Sequence, residues 1–415
     1  MNAVIISCGT ELVTGQCVDT NSAWLSARLT AAGVRVAAHV TVGDDAEELA
    51  GAVRKALQEA ELVLLSGGLG PTPDDLTREA IASAIDEPLL ENTEALAQIV
   101  RFFERWQRPM PESNRRQATL PRGCGVIANP RGTAPGIRHV RGDRRLYAFP
   151  GVPAEMKAMF EAEVGPLLSQ LTGGARTKSA CLRCFGISEA RLGELLADLM
   201  QRGRNPSVGT TASQAILSVR VLAEGDSAEA ARRLLSTDVS DIRRRVGSPI
   251  FGENDDTLEG IVAGLLVAQG KTIAVAESCT GGLLAARLTD VPGSSAYFLR
   301  GYVAYSNAAK TELLGVATDL ITEQGAVSEP VARAMAAGCR ERAGTDYAIA
   351  ITGIAGPAGG SPDKPVGLIF IALAESTDVR VSRHLLGEHL SREEVRDRAC
   401  KTALNMLRLR LVLGP

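Results

Sequence analysis

Short, strongly apolar runs alternate along this chain with longer stretches in which apolar residues return every third or fourth position. In the first block the apolar runs predict strands at Val4–Ser7, Val34–Val42 and Leu62–Leu65. The 3.6-residue periodicity predicts helices at Thr20–Ala32, Ala46–Glu59, Asp75–Ile85 and Thr93–Trp106. Buried runs separated by helices indicate βαβ units and a parallel sheet. A helix over Pro153–Leu171 closes the block, and Thr172-Gly173-Gly174 breaks the pattern after it. A second, smaller block reads strand (Thr177–Cys184), helix (Ser188–Met200), strand (Ala215–Leu222), helix (Ala228–Val246), and ends at Gly247-Ser248-Pro249. The third block predicts strands at Thr272–Ala276, Phe298–Ala304, Tyr347–Ile351, Val366–Leu373 and Val379–Leu385. Its helices are expected at Thr257–Gln269, Gly281–Leu288, Asn307–Leu314, Glu329–Arg342 and Arg392–Leu411. The expected domains are therefore 1–172, 173–250 and 251–415.

Composition agrees with several globular domains. The chain has 415 residues, of which 45% are hydrophobic, and a formal net charge of -3. That charge provides no global basic field to attract nucleic acid or an anionic membrane. No apolar run approaches the roughly 18 residues of a membrane span. The opening MNAVIISCGTELV lacks a basic flank and a cleavage site, so it reads as a buried strand and not a signal peptide. Eight scattered cysteines indicate reduced thiols. The lone C-x-x-C of Cys181 and Cys184 has no second pair, and there are only four histidines, so a zinc site is not expected. A soluble cytoplasmic protein is the expectation.

In the third block, Ala276-Glu277-Ser278-Cys279-Thr280-Gly281-Gly282 lies between a buried strand and a helix. The helix start can present free N–H groups to an anion or an oxyanion, or it can be a simple cap. Pro292-Gly293-Ser294-Ser295 follows, then Tyr302-Val303-Ala304-Tyr305-Ser306-Asn307-Ala308-Ala309-Lys310. If Asn307 caps its helix, Lys310 falls in the first turn, where the dipole disfavours the ammonium form. Partial burial would lower its pKa further and make it a workable base for a serine hydroxyl. An ordinary surface lysine is the other reading. Ile351-Thr352-Gly353-Ile354-Ala355-Gly356-Pro357, at the end of another strand, would add a second glycine-rich loop to one pocket.

These segments, in order AESCTGG, LTDVPGSSAYF, YSNAAK, GAVSE, TGIAGP and KPVG, resemble the C-terminal domain of the CinA family, the nicotinamide mononucleotide amidases. The resemblance implies an α/β amidase domain that converts nicotinamide mononucleotide to nicotinate mononucleotide and ammonia with no cofactor. It implies Ser295 as nucleophile, Lys310 as general base, and Tyr305 and Ser278 as orienting and oxyanion-stabilising groups. Thr280, Gly281, Gly282, Thr352 and Gly353 would line the substrate. The substrate phosphate needs a cation, for which Arg392 and Arg396, four apart on the last helix, are candidates; a solvated basic face is the alternative. Ala308 and Ala358 stand where relatives often carry an acidic residue and glycine. Cys279 is a rival nucleophile, though no histidine lies near it in sequence.

In the first block, Gly9-Thr10-Glu11 and Asp19-Thr20-Asn21 follow the first strand, with Thr20 or Asn21 able to cap the next helix. Ser66-Gly67-Gly68-Leu69-Gly70-Pro71-Thr72-Pro73-Asp74-Asp75 follows the third. The glycines suit close approach of a phosphate, and the paired aspartates can hold a divalent metal or cap the following helix. Further turn-rich loops occur at 129–136 and 149–153. The set resembles the N-terminal, molybdopterin-binding-like three-layer domain of the same family. That likeness implies ADP-ribose pyrophosphatase activity with a divalent metal, with molybdopterin binding or a relict, inactive fold as the alternatives. Glu11, Asp44, Asp74 and Asp75 are then metal candidates, and Gly67, Gly68 and Asn21 substrate contacts. The family's middle domain is a small KH-like α+β module; no G-x-x-G clamp for RNA occurs at 173–250, so a spacer or dimerisation role is expected. The combined expectation is a bifunctional pyridine-nucleotide salvage enzyme, homodimeric, with small nucleotides and not nucleic acid or membrane as partners. The alternative is a nucleotide-sensing or DNA-transactions adaptor with degenerate sites.

Overall fold

Side-chain alternation along the strands determines the layers. A computed structural model describes residues 1–171 and 177–414; the predicted break at Thr172-Gly173-Gly174 lies outside the described residues. The chain divides into two units, Met1–Ser179 with Leu222–Ser236, and Ala180–Val221 with Thr237–Pro415.

The first unit contains a six-stranded sheet in the order Arg35–Val42, Asn2–Cys8, Leu62–Ser66, Arg144–Phe149, Gly136–Arg141, Gly125–Ile127. The first four strands are parallel and the last two antiparallel. Val4, Ile6, Val63 and Leu65 point into one core with Leu49, Val53, Ile81 and Ile99 from the helices on that face. Ala3, Ile5, Leu62 and Leu64 point the other way, against Leu25, Leu29, Met156 and Phe160. Apolar residues facing both sides make these strands continuous apolar runs. The expectation of a parallel sheet needs correction at its far edge. There Gly142, at φ 61°, turns the chain in a tight hairpin between two short strands. The segment expected as one helix over Pro153–Leu171 is two, Pro153–Glu163 and Gly165–Leu171.

The C-terminal sheet has five strands, in the order Phe298–Val303, Ile273–Glu277, Tyr347–Gly353, Leu368–Ala374, Val379–Leu385. The first three are parallel, and the last two add as an antiparallel meander. Ile273, Val275, Ile349 and Ile351 face the helices Leu258–Ala268 and Arg392–Leu413. Ala274, Ala276, Ala348 and Ala350 face Glu329–Ala343, whose Val331, Met335 and Cys339 fill the space that the alanines leave. The parallel strands Ile273–Glu277, Phe298–Val303 and Tyr347–Gly353 all end on one side of the sheet, where ligands bind in open α/β folds.

The middle module is a four-stranded sheet, Ser207–Ser213, Ile216–Glu224, Thr177–Cys184, Ile250–Glu253. Its helices are Glu189–Leu196 and Ala228–Val246. The strand Ser207–Ser213, too polar to register as an apolar run, was not expected.

Candidate active site

At the end of the strand Ile273–Glu277 the chain turns through Ser278–Gly282 into the helix Leu283–Thr289. Gly281 and Gly282 lie at φ 58° and 93°, a backbone that an L side chain would strain. Glu277, fully buried, folds its carboxylate back onto the start of that helix. It accepts from the N–H groups of Gly282 at 3.0 Å, Leu284 at 3.0 Å and Ala285 at 2.8 Å. A carboxylate at a helix N-terminus satisfies donors with no intrahelical partner and is favoured by the dipole. This corrects the expectation of free helix-start N–H groups for a substrate anion: the protein supplies its own.

Beside this loop, Lys310 rises from the helix Asn307–Leu314, and it is only 1% exposed. Ser306, not Asn307, caps that helix, accepting from Ala309 N–H. The Lys310 Nζ lies 3.1 Å from Ser278 Oγ and donates to the carbonyls of Ala304 at 3.0 Å and Tyr305 at 3.2 Å. Its three hydrogen bonds go to neutral oxygens and no carboxylate pairs with it among the described residues. Burial therefore pushes its pKa down, with the Cys279 thiol acting weakly the other way. The result is an amine and a hydroxyl in contact, with the amine biased toward its neutral form.

Ser295 is not part of this contact. It sits exposed in the short turn Ser294–Ala296, before the strand Phe298–Val303, whereas Lys310 follows that strand. Six residues of strand separate the two positions, roughly 17 Å at the usual rise. Within one chain the pairing of Ser295 with Lys310 is thus replaced by Ser278 with Lys310. Cys279 is buried, and desolvation pushes its thiol up to about 12, which keeps it protonated.

Two arginines of the last helix reach the same loops. Arg396 donates from Nε at 3.2 Å and from its terminal nitrogen at 2.7 Å to the Thr280 carbonyl. Arg392 donates to the Gly356 carbonyl at 2.7 Å and to the Tyr305 hydroxyl at 2.9 Å. Every one of these acceptors is neutral. Thr352 is fully buried with its hydroxyl donated to Ala326 O, and a Cβ on Gly353 would lie 2.6 Å from Leu368 O. Both therefore serve the packing of the sheet end.

The first unit has a cavity of about 420 Å³ lined by Glu11, Asp44, Asp74, Asp75, Gly67 and Gly68, and also by Glu155 and Gln117, which the sequence did not single out. Gly67 is at φ 108°, and a Cβ there would lie 2.2 Å from Cys8 O. A Cβ on Gly68 would lie 2.4 Å from Thr77 Oγ1, itself bonded to Gly67 O. Arg78, 1% exposed, donates to the carbonyls of Leu69, Gly70 and Asp75 and so shapes the loop from within; burial lowers its pKa. Neither Asp74 nor Asp75 caps the next helix, whose first flanking residue is Leu76. Asp75 closes its own turn by accepting from Thr72 N–H at 2.8 Å and its hydroxyl at 2.5 Å. Asp44 accepts from Thr10 N–H at 2.9 Å and the Cys8 thiol at 3.7 Å. Among the described residues no three His, Cys, Asp or Glu side chains gather into a preformed metal site. Asn21 belongs to an adjoining cavity of about 230 Å³. Its amide donates to Ser66 Oγ and Gly151 O, tying two strand ends together, while Asp19 caps the helix.

Sequence comparison covers the chain from end to end. A CinA-like protein from Parasynechococcus marenigrum is 44% identical over 410 residues, 98% of each chain. A putative competence-damage inducible protein from Symbiobacterium thermophilum is 44% identical over 425 residues, 100% of this chain and 99% of that one. The chain belongs to the CinA family. The family model described as the CinA C-terminal domain matches residues 255–411. Those described as a probable molybdopterin binding domain and the damage-inducible protein CinA KH domain match residues 4–170 and 179–252. The crystal structure of competence/damage inducible protein CihA from Agrobacterium tumefaciens is 41% identical and covers 37% of this chain and 94% of that chain, with a TM-score of 0.35. The CinA C-terminal match contains Glu277, Ser278, Lys310, Arg392 and Arg396. No helix among the described residues is long and apolar enough to cross a membrane.

Proposed function

We propose that the C-terminal domain is an amidohydrolase of nicotinamide mononucleotide in which Ser278 is the nucleophile and Lys310 its base. The supporting observation is the buried amine of Lys310, 3.1 Å from Ser278 Oγ, with no carboxylate among the described residues to hold its proton. Neutral Lys310 takes the hydroxyl proton as Oγ bonds to the amide carbon. The resulting ammonium returns that proton to the departing nitrogen as the carbon–nitrogen bond breaks, releasing ammonia. Water, deprotonated by the same amine, then cleaves the ester to nicotinate mononucleotide and Ser278. Arg392 and Arg396, bonded among the described residues to neutral oxygens, leave their positive charge to the substrate phosphate. The test is ammonia release from nicotinamide mononucleotide in EDTA by wild type, Ser278→Ala and Lys310→Ala. Turnover by wild type alone supports the reading; folded wild-type protein that releases no ammonia overturns it and favours a sensing role.

A second reading concerns the first unit, where five carboxylates and a glycine turn line one cavity. We infer that this cavity takes a polyphosphate with a divalent ion. The reaction proposed there is hydrolysis of ADP-ribose to AMP and ribose 5-phosphate. The carboxylates fit a divalent ion such as magnesium, which takes one or two carboxylates and completes its shell with water and phosphate oxygens. Glu11 and Asp74 are exposed and would hold it, with the half-buried Asp44 also lining the cavity. When bound, the ion would neutralise charge on the pyrophosphate. The Gly67–Gly68 turn lets the pyrophosphate approach the backbone. AMP formation from ADP-ribose that stops on adding EDTA is the expected result; metal-independent or absent turnover would overturn it.

A further inference from the structure

The middle module has no part in either proposed reaction, yet two buried cations of the last helix donate to its backbone. Lys401, 6% exposed, donates to the carbonyl of Gln214 at 2.7 Å and to Asp397 at 2.8 Å. Gln214 and Ala215, at φ 47° and 63°, form the two-residue turn between the strands Ser207–Ser213 and Ile216–Glu224. Two successive left-handed residues are the geometry of a tight hairpin, and here that hairpin delivers a carbonyl to an ammonium. Seven residues on, and so on the same helix face, Arg408 is 4% exposed. It donates to Ser248 O at 2.6 Å, with Ile250 O at 3.5 Å and Asn405 Oδ1 at 2.9 Å completing its partners. Around the two cations, Phe185, Ile216 and Phe251 of the module share one core with Leu404 and Leu407 of the helix.

The cation nearer the site leads directly into the proposed machinery. Asp397, which holds Lys401 through one oxygen, holds Arg287 through the other. Arg287 belongs to the helix that begins immediately after the Ser278–Gly282 loop. Its charge is shared with Glu259 at 3.7 Å. The residue next to Asp397 is Arg396, which grips the Thr280 carbonyl inside the loop. The loop is thus fixed twice from two consecutive residues of the last helix, and one of those residues is tied to the module hairpin through Lys401. An Asp–Lys pair four apart on a helix is by itself worth only about 0.2–0.5 kcal/mol. The Gln214 carbonyl gives the buried ammonium a second partner and a fixed direction, without which it would lie in an apolar setting with unmet donors.

We infer that the middle module is a working part of the C-terminal site. Its docking on Lys401 and Arg408 sets the last helix and, through Asp397 and Arg396, the loop that presents Ser278. Lys401 is a positioning residue: it touches no substrate. This inference rests on the amidase reading for its kinetic consequence and on the hydrogen-bond chain for its structural one.

The test uses the full chain with Lys401→Met, which keeps the apolar stem and removes the charge, and with Lys401→Arg, which restores a cation. For Lys401→Met the KM for nicotinamide mononucleotide is expected to rise about tenfold, the scale of a broken coupling between packed elements, and Lys401→Arg is expected to recover most of it. Lower stability alone would reduce the folded fraction and hence apparent kcat, with KM unchanged. An unaltered KM in the folded variant therefore overturns the proposal. Hydrogen–deuterium exchange across residues 278–289 gives a readout that needs no turnover. Faster exchange there in Lys401→Met supports the coupling, and identical protection refutes it, even should wild type release no ammonia and the amidase reading fail.

Discussion

Charge is managed in opposite ways in the two candidate sites. Around Ser278 the charged groups are buried and met in advance: Lys310 by a hydroxyl and two carbonyls, Glu277 by three backbone N–H groups. Around the Gly67–Gly68 turn of the first unit the carboxylates are half-buried or exposed, and two of them, Asp44 and Asp75, accept from the backbone N–H groups of Thr10 and Thr72. Desolvation is what shifts a proton affinity and makes an amine into a base. A solvated carboxylate can serve as a ligand to a cation instead. On the proposed readings the first arrangement is complete for proton transfer within the chain, and the second leaves a place for an ion and a polyphosphate.

That contrast can be broken most decisively at Lys310. Lys310→Ala and Ser278→Ala should each lower ammonia release by about 10³-fold, within the range for removing a general base or a nucleophile, while Ser295→Ala leaves it unchanged. If Ser295→Ala is inactive and folded, the Ser278 assignment fails and Ser295 must act from outside its own chain's sheet end. In the first unit, Gly67→Ala places a methyl against Cys8 O in a left-handed backbone and should cost about 2–4 kcal/mol, read as a lower urea midpoint with ADP-ribose turnover lost. Arg396→Gln should raise the KM for the phosphorylated substrate about tenfold, the weight of one charged hydrogen bond, with a smaller change in kcat. The pH profile sharpens the comparison further. In the proposed mechanism neutral Lys310 is the active form, and burial lowers its pKa. The amidase kcat/KM should then climb with pH through that lowered pKa and level off below the ordinary lysine range. A rate that levels off only at the ordinary lysine value would show that the amine is not desolvated. The smallest effect is expected for Cys279→Ala, whose protonated thiol contributes volume alone and whose loss should leave most activity.

Most elements of the third block were legible from periodicity, because its strands are either apolar on both faces or bounded by glycine loops. Several strands of the first two blocks escaped, Gly136–Arg141 and Arg144–Phe149 among them, and two others show the physical reasons. Ser207–Ser213 is held by cross-strand pairing and not by burial, and Gly125–Ile127 is too short to show a period. The site residues were legible by type and not by partner. Lys310 was readable as a base, but its hydroxyl partner Ser295 rested on the family resemblance, although the predicted strand Phe298–Ala304 already placed the two positions at opposite ends of the sheet. Glu277 was overlooked beside the serine that follows it. Its signal was present, an acidic side chain at a strand end before a Gly-Gly helix start. In the first block the same limit applied to caps: Asp19 and Leu76 occupy positions assigned to their neighbours, a shift of one residue that changes which side chains are left free.

The carboxylate of Glu277 has one more consequence, for behaviour in concentrated electrolyte. An anion held by main-chain amides inside the protein is beyond the reach of mobile ions, whereas guanidinium groups at a pocket mouth attract their ligand through solvent and are screened. Raising ionic strength should therefore weaken capture of a phosphorylated substrate at Arg392 and Arg396 while the Ser278–Gly282 turn retains its shape. Sulfate or phosphate added as a competitor has no vacant helix end to occupy there, so inhibition by such ions should vanish with the arginines and not with the loop.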